Sequence, residues 1–187
     1  IRLVDNAQFK FGYALRTRSS GFKKLIGKFQ TFILQRVYGF DLDQMAVSTI
    51  VYEGTKKEVD FQQSEVKRLA KQFKGKSGGS EHGRRGYAFT FAIAYIRDFF
   101  FDQNIIGETL ESAVPWSDVN KVSEAVTKKL QELHKKHDLP GTFLFGSRLS
   151  KIYHSGACMY NTIAMSFKGV DTPEKIFGEI EHEIRKT

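Results

Sequence analysis

Two side chains in this sequence combine reactive chemistry with a setting that could hold a substrate. Tyr160 lies in the run from Gly156 to Phe167, where a period of two puts Ala157, Met159, Ile163, Met165 and Phe167 on one face. Cys158, Tyr160, Thr162, Ala164 and Ser166 fall on the other. The first face is apolar and is interrupted only by Asn161. The second carries one phenol among small neighbours, which leaves room above a sheet for a molecule that is not protein core. A phenol there can move a proton, or it can be a half-buried strand tyrosine whose hydroxyl reaches water or a carbonyl. Arg97 sits in a stretch, Tyr87 to Phe101, whose apolar residues run almost all round and predict a buried helix. A guanidinium among aromatics needs an anionic partner, because leaving it unpaired costs on the order of several kcal/mol. Adjacent Asp98 would point to a different side of a helix. A distant carboxylate or a ligand phosphate or carboxylate then supplies the partner. Arg2, between apolar neighbours in the extended segment Ile1–Val4, reads most simply as a solvated edge-strand arginine.

Other reactive residues are set aside by their spacing. The loop Lys74-Gly75-Lys76-Ser77 resembles a phosphate loop, but the earlier glycine that such a loop needs is replaced by Ala70 inside a predicted helix. It reads as a flexible turn. His134 and His137 sit among lysines without a third clustered ligand, which predicts a solvated helix end and no metal. Cys158 has no legible His-Asn or His-Asp partnership and reads as a small buried hydrophobe.

The elements that position these residues follow from periodicity. A short strand at Ile1–Val4 is followed by a turn that Asp5 or Asn6 can cap. Phe22, Leu25, Ile26, Phe29, Phe32 and Ile33 form an apolar helical stripe, with Lys23, Lys24 and Lys28 mostly off it. Such a basic amphipathic helix can lie on an anionic membrane or pack on its own domain with its lysines in water. The residues from Met45 to Glu53 predict a strand, and Thr55 with Glu58 a capping box opening a helix with Val59, Val66, Leu69, Ala70 and Phe73 inward. Ile105 to Val114 predicts a strand closed by Pro115-Trp116, with Ser117 capping a helix striped by Val119, Val122, Val126, Leu130 and Leu133. Gly141 to Tyr153 predicts a strand joined by a hairpin to the stretch that holds Tyr160. Thr172-Pro173-Glu174 opens a last helix, with Thr172 as its cap and Pro173 in the first turn. The order predicts an α+β fold, a largely antiparallel sheet with helices covering one face.

Composition fits one compact domain or one lobe of a larger protein: 187 residues, 41% hydrophobic. A single cysteine excludes an internal disulfide framework. No apolar run reaches the ~18 residues of a membrane span. The net charge of +8 is concentrated between Asn6 and Phe40, which holds seven basic residues and no acid. That concentration speaks against a nucleic-acid module, which would spread basic and aromatic residues over the same strands. Both ends read as cut from a longer chain.

Four separated motifs resemble one family. They are Ile1-Arg2-Leu3-Val4-Asp5-Asn6-Ala7-Gln8-Phe9; Arg85-Gly86-Tyr87 with Ala94-Tyr95-Ile96-Arg97-Asp98; Gly107 through Trp116; and Gly156-Ala157-Cys158-Met159-Tyr160. Together they resemble the alkyldihydroxyacetonephosphate synthases, and the likeness is weakest between Tyr13 and Phe40. The resemblance implies that residues 1–187 are a ferredoxin-like cap, or substrate, domain of a vanillyl-alcohol-oxidase-type flavoprotein. The FAD-binding domain is then expected upstream and a histidine-rich segment downstream, with the FAD contacts of this chain unassigned. It implies exchange of the acyl group of acyl-dihydroxyacetone phosphate for a long-chain fatty alcohol, in peroxisomes, with FAD holding the carbon skeleton at N5 and not acting as a net redox agent. Tyr160 is similar to the tyrosine that moves the proton at the reacting carbon, Arg97 to the arginine that holds the substrate phosphate, and Arg2 to an arginine that activity requires. A phenol of ordinary pKa about 10 acts near neutral pH only if a cation lowers it or its proton is passed on. Further expectations are a membrane-surface contact through residues 10–36, a homodimer, and no nucleic acid. An FAD-dependent 2-hydroxy-acid oxidase with the same cap is the nearest competing function.

Overall fold

The computed structural model describes residues 1–14, 32–80, 83–84 and 95–187. The expected basic helix from Phe22 up to residue 31, and the part of the expected Tyr87–Phe101 helix before residue 95, lie outside the described residues.

The chain opens with strand β1 (Arg2–Val4) and helix α1 (Asn6–Ala14). Where the sequence predicts only a capped turn after Val4, the structure has a nine-residue helix. Asp5 starts it by accepting from the Gln8 amide at 2.8 Å. A short π-helical turn (Ile33–Val37) precedes strand β2 (Val47–Thr49). The predicted strand from Met45 to Glu53 shrinks to these three residues, because β2 is an edge strand whose partner is the equally short β1.

Helix α2 (Lys56–Gln72) has the expected capping box, with Thr55 and Glu58 exchanging bonds. Its apolar residues find no core among the described residues: none is buried, and Phe73 at its end is 82% exposed. The helical residues 95–102 likewise depart from expectation. Tyr95, Phe99 and Phe101 are exposed, and among the described residues only Phe100 makes a ring contact off the helix, to Phe11 of α1.

The remaining elements build the body of the domain. They are strand β3 (Ile105–Pro115), helix α3 (Val119–Lys136), strands β4 (Phe143–Ile152) and β5 (Gly156–Ser166), and helix α4 (Pro173–Arg185). The sheet order is β2-β1-β4-β5-β3, and every pair is antiparallel. This is the expected α+β class. Strand β3 lies tight against the start of β5: a side chain on Gly156 would come within 2.0 Å of the Val114 carbonyl oxygen, so only glycine fits there.

The inner face of β5 is buried as its alternation predicts, and Cys158 and Ala164 of the other face are buried as well. Ala157, Met159, Ile163, Met165 and Phe167 are buried, and α3 and α4 cover the inner end of that face with Val126, Leu130, Leu133, Ile180 and Ile184. Asn161, the polar interruption, is satisfied within the core: the Ser147 hydroxyl donates to its Oδ1 at 2.7 Å across the β4–β5 pair. On the opposite face α1 crosses near Gly146, where an added Cβ would lie 2.6 Å from Gln8 Cγ. Gln8 there donates to the Gly146 carbonyl and to Thr162 Oγ1.

Three further local expectations are corrected. Ser117 does not cap α3; Asp118 occupies the cap position, and its carboxylate accepts from Lys121 without capping the helix. Thr172 precedes α4 in the left-handed region at φ 53, and its side chain makes no capping bond. The histidines are packed, not solvated. The His134 ring packs tilted against Phe143 with centroids 5.8 Å apart, and His137, its side chain 14% exposed, lies 3.5 Å from Glu179 of α4. Amphipathic packing carries the end of α3 onto the sheet and takes both rings with it.

Leu130 is fully buried between sheet and α4, so Leu130→Ala should lower stability by about 2–5 kcal/mol, read from denaturant unfolding of the full-length protein. Asn161→Leu strands the Ser147 hydroxyl and should cost about 1–3 kcal/mol, most of it recovered when Ser147→Ala is added.

Candidate active site

The face of the sheet away from α3 and α4 is polar and partly open. The register of the ladder builds a row across it. Glu111 of β3 stands opposite Tyr160 of β5, Tyr160 opposite Arg148 of β4, and Arg148 opposite Val4 of β1. Two residues before Val4, Arg2 falls on the same face by the alternation of the strand. Thr109, opposite Thr162, lies in the neighbouring row.

Tyr160 is held on two sides. Its hydroxyl donates to Thr109 Oγ1 at 3.0 Å. The Arg148 guanidinium lies over its ring, with Cζ 3.9 Å from the centroid, a cation–π contact. Burial pulls the Arg148 guanidinium below its ordinary value; Tyr160 opposes that shift, the like charge of Arg2 adds to it, and Glu111 opposes it. A guanidinium stays protonated throughout.

Beside this pair, Glu111 accepts from the Cys158 thiol at 3.1 Å and from the Ser150 hydroxyl at 2.9 Å. Those bonds, the thiol first, hold its carboxyl below the usual carboxylate range. Burial, then the bond to Glu111, pushes the Cys158 thiol up. Cys158 is therefore a structural donor and a poor nucleophile, as its sequence context suggests.

Arg148 is the group that sequence reasoning missed. Counted back from the hairpin pair Ile152 and Ala157, a regular ladder would put Leu149 opposite Tyr160 and turn Arg148 toward the core. The ladder slips between Leu149 and Lys151, so Leu149 pairs with Met159 and Arg148 with Tyr160. Such a one-residue irregularity switches every later side chain to the other face.

The structure brings Tyr160 and Arg2 to one face, with Arg148 between them. It does not join Arg97 to them. Arg97 is on the helical residues 95–102 with its side chain 65% exposed, and its Nη2 lies 3.3 Å from Asp98 Oδ1. The expectation of a guanidinium sunk among aromatics and turned away from Asp98 is overturned in this chain. The rings of Tyr95, Phe99 and Phe101 around it are themselves exposed.

A cleft of about 230 Å³ opens at the hairpin end of the sheet, lined by residues including Val114, Tyr153 and Ala157. Its lining does not include Tyr160, Arg148, Arg2 or Arg97. Among the described residues no cluster of His, Cys, Asp or Glu can hold a metal ion. No helix among them is long and apolar enough to cross a membrane. A planar cofactor fits the open part of this face, where among the described residues Tyr160 is half-exposed and Thr109 and Glu111 are exposed.

Comparison with known proteins bears on this arrangement. The chain is similar to the alkyldihydroxyacetonephosphate synthase of Caenorhabditis elegans, 33% identical over 186 residues, which cover 99% of this chain and 31% of that protein. It is 24% identical over 162 residues to the synthase of Trypanosoma brucei brucei, covering 87% of this chain and 26% of that protein. A solved structure of an alkyldihydroxyacetonephosphate synthase superposes with a TM-score of 0.69 at 19% identity, over 98% of this chain and 33% of that one. The chain thus spans about a third of the length of these relatives. The model of the FAD linked oxidases, C-terminal domain, matches residues 1–187, and the chain belongs to that family.

Proposed function

We propose that this chain is the cap lobe of a transferase of ether-lipid synthesis, which exchanges the acyl group of 1-acyl-dihydroxyacetone phosphate for a long-chain fatty alcohol. The observation that carries the reading is Tyr160, presented on an open sheet face against a half-buried cation, in a chain similar along nearly its whole length to an alkyldihydroxyacetonephosphate synthase. The net exchange balances without an oxidant: acyl ester and alcohol become alkyl ether and carboxylate, and one proton is released. When bound, FAD supplies the temporary attachment point for the carbon skeleton.

The residues of this chain take the following parts. Tyr160 moves the proton at the reacting carbon, with Thr109 fixing its hydroxyl and Arg148 offsetting negative charge on the phenol. Arg2 adds positive charge to the same face, where anionic substrate is drawn in. Arg97 holds the substrate phosphate, exchanging Asp98 for a group with more oxygens to match its fork. The FAD-binding part lies outside residues 1–187, the protein works in peroxisomes and as a homodimer, and the basic segment 10–36 rests on a membrane surface from which both alkyl-bearing substrates enter.

In the full-length protein, Tyr160→Phe should lower the exchange rate by about 10²–10⁴-fold with little change in KM. Activity retained within about threefold would remove Tyr160 from the chemistry, and flavin bleaching by a 2-hydroxy acid would point to an oxidase instead. Arg97→Ala should raise the KM of the phosphate-bearing substrate about tenfold or more and leave that of the fatty alcohol unchanged. Equal losses for both substrates would make the Asp98 pair merely structural. For the membrane contact, changing Lys23, Lys24 and Lys28 to glutamate should abolish flotation with anionic liposomes; unchanged flotation would end the idea.

A further inference from the structure

We propose that Arg148 holds the carboxylate of the long-chain acid that leaves the acyl substrate. The proposal rests on the exchange reaction given above, and its test separates the two.

Among the described residues Arg148 is a cation without a counter-ion. Among the described residues its side chain donates no hydrogen bond and meets no carboxylate at ion-pair distance, and its Nε is enclosed with no partner. Arg68, Arg97 and Arg185 instead each meet a carboxylate within 3.3 Å. Glu111, the acid in the same row, has its oxygen engaged by Cys158 and Ser150 and acts on Arg148 only at longer range. The Tyr160 ring covers one side of the guanidinium but supplies no acceptor in its plane. A half-buried guanidinium with unmatched donors and the positive charge of Arg2 beside it is costly to keep empty. A planar two-oxygen anion matches that fork with paired N–H···O bonds.

The chemistry says where such an anion arises. In the exchange the acyloxy group departs with its bonding electrons as a carboxylate, the alcohol oxygen takes its place on the same carbon, and the alcohol proton is released. The carbon that loses the acyloxy group is the one whose proton Tyr160 handles. The carboxylate therefore forms within a few bonds of the phenol, and Arg148 is the cation stacked on that phenol. An anion gripped there as it forms stabilises departure of the acid.

A phosphate would suit the same fork, so the experiment has two arms. Full-length flavoprotein carrying Arg148→Met or Arg148→Lys is compared with the unaltered protein by equilibrium dialysis against decanoate and, separately, inorganic phosphate. Unfolding temperature and flavin content are measured alongside. Decanoate affinity should fall about tenfold or more in Arg148→Met and less in Arg148→Lys, while phosphate affinity stays within about twofold. Decanoate binding within about twofold of the unaltered protein in both variants overturns the proposal, as does a loss of phosphate affinity equal to or larger than that of decanoate. Should Arg148→Met fail to retain flavin, Arg148→Lys decides alone: about threefold weaker decanoate binding supports the proposal, and none overturns it. Decanoate binding that depends on Arg148 in a protein with no exchange activity would sink the ether-transfer reading and leave the anion site standing.

Discussion

A guanidinium laid on a phenol ring organises the open side of this sheet. The contact between Arg148 and Tyr160 needs three strands in register: β5 to present the ring, β4 to present the cation, and β3 to supply the Thr109 hydroxyl that fixes the phenol. It also needs a face that is neither core nor bulk water. In the core an unpaired arginine would be too costly, and in water its field would be screened away. Half-burial is the regime in which a fixed cation can bias charge on a neighbour, and the sheet provides it by covering one face and leaving the other partly bare.

The covered face makes this possible. Strand β5 is flanked on both sides and buried along nearly its whole length, so its backbone has little freedom to re-aim Tyr160. Even the polar residue on its inner face, Asn161, is tied to Ser147 on the strand that carries Arg148. That buried bond links β4 to β5 one residue from the pair on the outer face, so packing on one side sets geometry on the other.

Much of this was legible in the sequence, and the failures have physical causes. The alternation of Gly156–Phe167 located both faces of β5, and turn chemistry located the hairpin. Arg148 stayed hidden because the irregularity at Ser150 obeys no side-chain pattern, yet decides which face every residue before it occupies. Helix α2 and residues 95–102 show a different limit. Apolar periodicity says that a face suits burial, not that this stretch of chain supplies the cover, and here Phe73, Tyr95 and Phe99 remain exposed. Arg97 was misplaced by the same step, since its predicted apolar surroundings assumed a cover that the described residues do not provide. The histidines of α3 erred in the opposite direction. Their lysine neighbours suggested solvent, but the helix stripe had already carried His134 onto Phe143.

Asp5 gives the arrangement a temporal side. Its carboxylate caps α1 and accepts from the Ser147 amide, a partner 142 positions further along the chain. Strand β1, which brings Arg2 to the face, pairs with β4 at the same point. Contacts between such distant segments carry a large loop-closure entropy and form after the local hairpin and helices have assembled. The cationic end of the face is therefore completed after the hairpin that carries Arg148 and Tyr160.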